Sequence, residues 1–153
     1  MLLCFFLFAC AKNTSIDGYP WPLGSENLIE IEKDLLVSLI LVQDSLSPSS
    51  AEFLLTNKED MAVEYGLPFL IQVEVSGKWY NIDFEYTVED DGMGGMLKPN
   101  SLLILNAREE KKFFLEWKSI YGELPPGTYR LIEKLYLCSN DEYFYVSCLF
   151  TIE

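Results

Sequence analysis

A chain of 153 residues is long enough for one domain with a true core and too short for two comfortable ones. Half of it is apolar and its aromatics lean to Tyr (9) and Phe (10), so it is not disordered and it favours strands over helices. A net charge of −13 repels nucleic acid and anionic head groups, and the absence of His removes Ser-His-Asp triads, Cys-His pairs and His-ligated zinc.

Residues 1–10, Met-Leu-Leu-Cys-Phe-Phe-Leu-Phe-Ala-Cys, form an unbroken apolar run. A bilayer span takes about 20 such residues, so the run has the length of a signal-peptide core instead. The alternative is an N-terminal strand with a buried cysteine, but a strand this apolar normally alternates or is flanked by turn residues. Leu7-Phe8-Ala9-Cys10 resembles the lipobox of bacterial lipoproteins. In that family the small residue precedes the cut, and the cysteine becomes the lipid-bearing first residue of the mature protein. The sequence departs from the pattern in the bulk of Phe8 and in lacking a basic region before the apolar run, the latter as expected if translation starts upstream. This implies a signal peptide at 1–9, shortened at its start, with lipid on Cys10 and the membrane as a partner through it. A tether at 10–27 follows, rich in Asn, Ser, Pro and Gly. Whether Tyr19 and Trp21 pack back on the domain stays open.

The domain at 28–153 reads as short β-type runs broken by turn signals. Leu28–Ile31 alternates, and Leu35–Val42 is a strand or a short helix, with its Val and Ile content and the closing Ser-Leu-Ser-Pro-Ser-Ser favouring a strand. Ala51–Thr56 follows, then a short piece at Met61–Tyr65. Phe69–Val75 and Trp79–Phe84 pair through Ser76-Gly77-Lys78, where Gly77 supplies a positive φ. Ser101–Leu105, Lys112–Trp117, Thr128–Leu137 and Tyr143–Ile152 complete about eight or nine strands, with a single helical turn at Ile120-Tyr121. In Trp117–Arg130 the glycines Gly122 and Gly127 are free to take positive φ, and Pro125-Pro126 fix φ without offering a donor. Such a segment reverses the chain and launches a strand.

No constellation of reactive residues stands out. Glu89-Asp90-Asp91-Gly92 lacks the alternating oxygen donors of a calcium loop, so no metal is expected there. Gly92-Met-Gly-Gly95 is not followed by Lys-Ser/Thr and is no phosphate cradle, although Met93 and Met96 could adapt to a contact surface. Cys138 and Cys148 flank a hairpin turning at Ser139–Glu142, which offsets them by about five positions, roughly 16 Å. Two separate thiols are expected there, and a disulfide only if the loop is longer. With no nucleophile–base pair in view, the chain is expected not to be an enzyme and to carry no cofactor.

Several pieces then fall into a familiar order. They are Leu54-Leu-Thr-Asn57, Val63-Glu-Tyr65-Gly66, Gly77-Lys-Trp79-Tyr80, Trp117-x3-Tyr121-Gly122-x-Leu124-x2-Gly127-x-Tyr129-Arg130 and Phe150-Thr-Ile152. Together they resemble the bacterial immunoglobulin-like domains of secreted and lipid-anchored Firmicutes proteins. The resemblance covers roughly 28–152. It implies an all-β immunoglobulin-like sandwich of two packed antiparallel sheets and brings no catalytic residues. Trp79 and Trp117 are large enough to centre the inter-sheet core, with Tyr129 closing a tyrosine corner. Tyr129, Leu131 and Leu135 share one strand parity, and Phe144, Val146, Phe150 and Ile152 another, each fit to line an inner face. The expectation is a non-catalytic cell-surface lipoprotein with an unknown protein or envelope partner and no nucleic acid. Its rivals are an accessory ligand-binding or sensing subunit, and an inhibitor or immunity-type lipoprotein using the loops at 85–100 and 139–142.

Overall fold

The computed structural model describes residues 23–26, 29, 31, 36–66, 69–82, 103–138 and 142–153. Cys10, the signal peptide expected at 1–9, the segment 85–100 with its carboxylates and methionines, and most of the turn expected at 139–142 lie outside the described residues. Within these, ten strands and one short helix follow in order: β1 (Leu23–Glu26), β2 (Val37–Leu41), β3 (Ser50–Asn57), β4 (Val63–Tyr65), β5 (Leu70–Val75), β6 (Lys78–Ile82), β7 (Leu103–Leu105), β8 (Glu110–Glu116), α1 (Lys118–Tyr121), β9 (Gly127–Leu137) and β10 (Tyr143–Ile152). Of the stretch 35–42, Val37–Leu41 forms a strand, with Val37 and Leu39 turned inward against exposed Ser38 and Ile40.

The strands form two antiparallel sheets. The smaller has the order β2-β3-β8. In the larger, β9 is the spine. One side of β9 pairs with β10 over ten positions, from Gly127 opposite Ile152 to Tyr136 opposite Tyr143. Its other side pairs first with β5 (Val73 opposite Tyr129) and then with β4 (Tyr65 opposite Leu135). β6 and β1 extend the sheet beyond β5, and β7 extends it beyond β4. The β5–β6 hairpin turns on Ser76 and Gly77, with φ of 53° and 77°, the double positive φ of a two-residue turn whose twist matches the flanking strands.

Two expectations shift at the start of the domain. Ile29 and Ile31 lie outside any strand, and the first strand is Leu23–Glu26, within the stretch read as tether. β1 is an edge strand with an irregular register against β6, held by backbone pairing that needs no apolar alternation. The short pieces expected at Met61–Tyr65 and Ser101–Leu105 appear as three-residue strands that pair with each other, Val63–Tyr65 pairing also with β9.

The core lies between the sheets. Phe150 of β10 stacks on Trp117 and on Tyr129, each at 5.6 Å between ring centroids, and meets Phe53 of β3 edge-on at 6.3 Å. Trp117 and Tyr129 are wholly buried, as are Leu131 and Leu135 beside them. Both inner-face parities read from the sequence therefore lie side by side on the inner face of the large sheet, Tyr129 opposite Phe150 and Leu135 opposite Phe144. Trp79 does not. It is half-buried on the opposite face of the large sheet, because Trp79 shares its strand face with Asn81 while Ile82, of the other parity, is buried in the core.

Candidate binding surface

The Trp117–Arg130 crossover is built around two carbonyls. Pro48 O, in the β2–β3 connection, accepts from the Trp117 indole N–H at 2.8 Å and from Leu124 N at 2.8 Å. Pro125 O accepts from the Tyr129 hydroxyl at 2.7 Å. The latter is a tyrosine corner: a Tyr early in its strand bonds backbone four residues upstream. Between them α1 ends at Gly122, whose φ of 75° no β-carbon tolerates easily, and Tyr121 is buried under the turn. Gly127 does not use its freedom; it sits in β9 opposite Ile152 with an ordinary φ. Nothing in this crossover is poised for chemistry. Every polar group named here is engaged in holding strands.

The two thiols of the last hairpin are free, Cys138 exposed and Cys148 buried. Cys148 lies opposite Leu131, seven positions from Cys138, or roughly 23 Å along the strand. The offset exceeds the expected five because Tyr136 faces Tyr143 and Leu137 N donates to Glu142 O at 2.9 Å, which moves the turn one residue toward β9. Burial pushes the Cys148 thiol upward in pKa, which keeps it protonated and unreactive.

Among the described residues, one carboxyl side chain is buried in the sandwich. Glu133 shares the inner parity of β9, is 4% exposed, and accepts from Gly66 N at 3.2 Å. Burial pushes its pKa up to about 8, with the Gly66 N–H pulling the other way, so the carboxyl is largely protonated at neutral pH. Tyr65 is in turn raised by burial and by the charges of Glu109 and Glu133.

The surface with recognition chemistry is the outer face of the large sheet. At one end Gln72, Asn81, Arg130 and Trp79 interlock: Arg130 Nε donates to Gln72 Oε1 at 2.6 Å, Gln72 Nε2 donates to Asn81 Oδ1 at 2.7 Å, and the guanidinium lies 4.5 Å from the Trp79 ring centre. At the other end Lys134 sits between tyrosines, its ammonium 3.8 Å from the Tyr143 ring centre and 4.8 Å from that of Tyr136. The hydrogen bond to Tyr136 raises the Lys134 pKa, so the charge is secure. Tyr143 packs edge-on to Tyr145 at 5.8 Å and is 54% exposed; Leu149, farther along β10, is 63% exposed. This face offers rigid aromatic planes with a fixed cation, a chemistry suited to contact.

Sequence reasoning missed this surface. It took the inner parity of β9 and β10 for the core and left Arg130, Lys134, Tyr136, Tyr143 and Tyr145 unread. The signal was present, since the outward positions of two paired strands, β9 with Tyr136 and β10 with Tyr143 and Tyr145, seldom carry three tyrosines between them.

No group of three His, Cys, Asp or Glu side chains that could hold a metal occurs among the described residues. Nor is any described helix long and apolar enough to cross a membrane. Two antiparallel sheets, the larger built on a long β9–β10 hairpin, with an aromatic inter-sheet core and a tyrosine corner, define an immunoglobulin-like sandwich. The family model described as bacterial Ig-like domain matches residues 34–145, most of the chain, and the chain belongs to that family. No curated protein matches it.

Proposed function

We propose that this chain is a non-catalytic cell-surface lipoprotein, anchored through lipid on Cys10, whose immunoglobulin-like sandwich binds a protein or envelope partner. The observation that carries the binding reading is the outward cluster of Lys134 with Tyr136, Tyr143 and Tyr145, large amphipathic side chains fixed on the two longest strands. Aromatic side chains with few rotatable bonds lose little entropy on contact, which is why they dominate recognition surfaces. The anchor reading is supported by the apolar run that ends at Cys10. Family membership supports the absence of catalysis, since such sandwiches host function in surfaces and loops.

Crosslinking on intact cells tests the binding face. A photoreactive residue placed at Tyr143 should capture an envelope component, and Lys134→Ala with Tyr145→Ala should abolish the capture while leaving the folded protein intact by circular dichroism. Equal capture from a probe at Glu52, on the other sheet, would count against this face.

A further inference from the structure

The smaller sheet ends at β8, whose only strand partner among the described residues is β3. Which backbone groups β8 presents to solvent follows from the ladder. Asn57 N donates to Glu109 O at 2.9 Å and Trp117 N donates to Ser49 O at 3.0 Å, one bond at each end of the β3–β8 pairing. With Thr56 opposite Glu110, both bonds place the paired groups on odd-numbered residues of β8. The N–H and C=O groups of Glu110, Lys112, Phe114 and Glu116 therefore point away from β3, toward the open edge. All four side chains are exposed, and Phe114 is 61% exposed.

We infer that two copies of this chain associate antiparallel along this edge, about a two-fold axis at Phe114, joining two three-stranded sheets into one. The choice of register rests on charge. Directly opposed residues of an antiparallel pair must share a face, so a two-fold can be centred only on a residue. Centring on Lys112 sets lysine against lysine. Centring on Phe113 sets Glu110 against Glu116, and centring on Leu115 sets Phe114 against a carboxylate. Centring on Phe114 places ring against ring and sets Lys112 against Glu116 of the second copy, twice. In this register the Phe114 pair and both Lys112–Glu116 pairs are hydrogen-bonded pairs, each exchanging both N–H···O bonds with groups that β3 leaves unused.

The side chains are available for this. The ion pairs among the described residues join Lys78 to Glu26, Arg108 to Asp60 and Lys118 to Glu123, so none occupies Lys112. Glu116 accepts from Ser119 N at 3.2 Å and Ser119 Oγ at 2.8 Å, which orients the carboxylate and leaves acceptor capacity for an ammonium. Lysines on an edge strand ordinarily discourage pairing. Here Lys112 discourages the wrong registers and is compensated in one. A two-fold interface of this kind is closed, so it yields a dimer and not a fibre.

Charge exchange tests the register. The full chain, purified in a non-ionic detergent, should sediment as a monomer–dimer mixture at micromolar concentration. Lys112→Glu and Glu116→Lys should each raise the dissociation constant about tenfold or more, by opposing like charges. The doubly exchanged protein should return to within about threefold of the original, because the pairs are restored with reversed polarity. Near-UV circular dichroism checks that each variant keeps its packing. Lys112→Glu removes no hydrogen bond among the described residues, so it decides the matter even where Glu116→Lys loosens the Ser119 turn. A wild-type protein that stays monomeric, single exchanges without effect, or a double exchange that does not restore association would overturn the inference.

Discussion

The indole N–H of Trp117 donates to the carbonyl of Pro48 at 2.8 Å, joining residues 69 apart in the chain. Trp117 is wholly buried and stacks on Phe150, so one side chain ties the smaller sheet's loop, the crossover and the larger sheet together. Replacing it with Ala removes the ring from a close-packed layer and leaves the cavity partly unfilled. We expect a loss of about 3–5 kcal/mol, measured by urea denaturation. Tyr129→Phe is the milder companion. It keeps the ring stack and deletes only the hydroxyl bond to Pro125 O, with an expected cost of about 1 kcal/mol.

Gly122 and Gly127 should behave differently although they flank the same turn. At Gly122 a β-carbon would have open space around it but would force an L residue to hold φ at 75°. Gly122→Ala should therefore cost about 1–2 kcal/mol through backbone strain alone. Gly127→Ala involves no positive φ, so its unfolding midpoint should move less than that of Gly122→Ala. Equal shifts would contradict the assignment of the two turns.

Glu133 gives stability a pH dependence of defined sign. Its folded-state pKa, about 8, lies above its ordinary value of 4.5, so the folded protein retains a proton that the unfolded chain releases. The stabilisation is fully present below pH 4.5 and is lost as pH rises toward 8, at up to about 1.4 kcal/mol per pH unit within that window. Glu133→Gln keeps an acceptor for Gly66 N–H and removes the titration. The difference between wild-type and Glu133→Gln stability should fall across pH 4.5–8, while a flat difference would show that the carboxyl is not buried as described.

The two hairpin thiols should separate by reactivity. Iodoacetamide followed by mass spectrometry should label Cys138 in the folded protein and Cys148 only after denaturation, given their exposure and the raised Cys148 pKa. A disulfide, protecting both from alkylation until reduced, would contradict the register of β9 and β10.

Much of the fold was legible because alternation marks a half-buried strand. Phe144, Val146, Phe150 and Ile152 announce an inner face by spacing alone, and Leu124-Pro-Pro-Gly-Thr-Tyr129 announces the corner by turn chemistry. Trp79 was misplaced because size suggests a core position while parity fixes the face. Glu133 was invisible because a carboxylate at an inward position reads as a surface residue until its neighbours are known. β1 was hidden in a Pro- and Gly-containing stretch because an edge strand pairs through its backbone. The outer aromatic face depended on Tyr136 and Tyr143 meeting across a register set by where the turn between β9 and β10 falls, which local sequence does not encode.

The central claim, an immunoglobulin-like binding module held at the membrane by Cys10, is tested most directly by growing expressing cells with labelled palmitate. The wild-type chain should take up label and partition with membranes, and Cys10→Ser should lose both. Equal labelling of the two proteins, or of neither, would contradict the account.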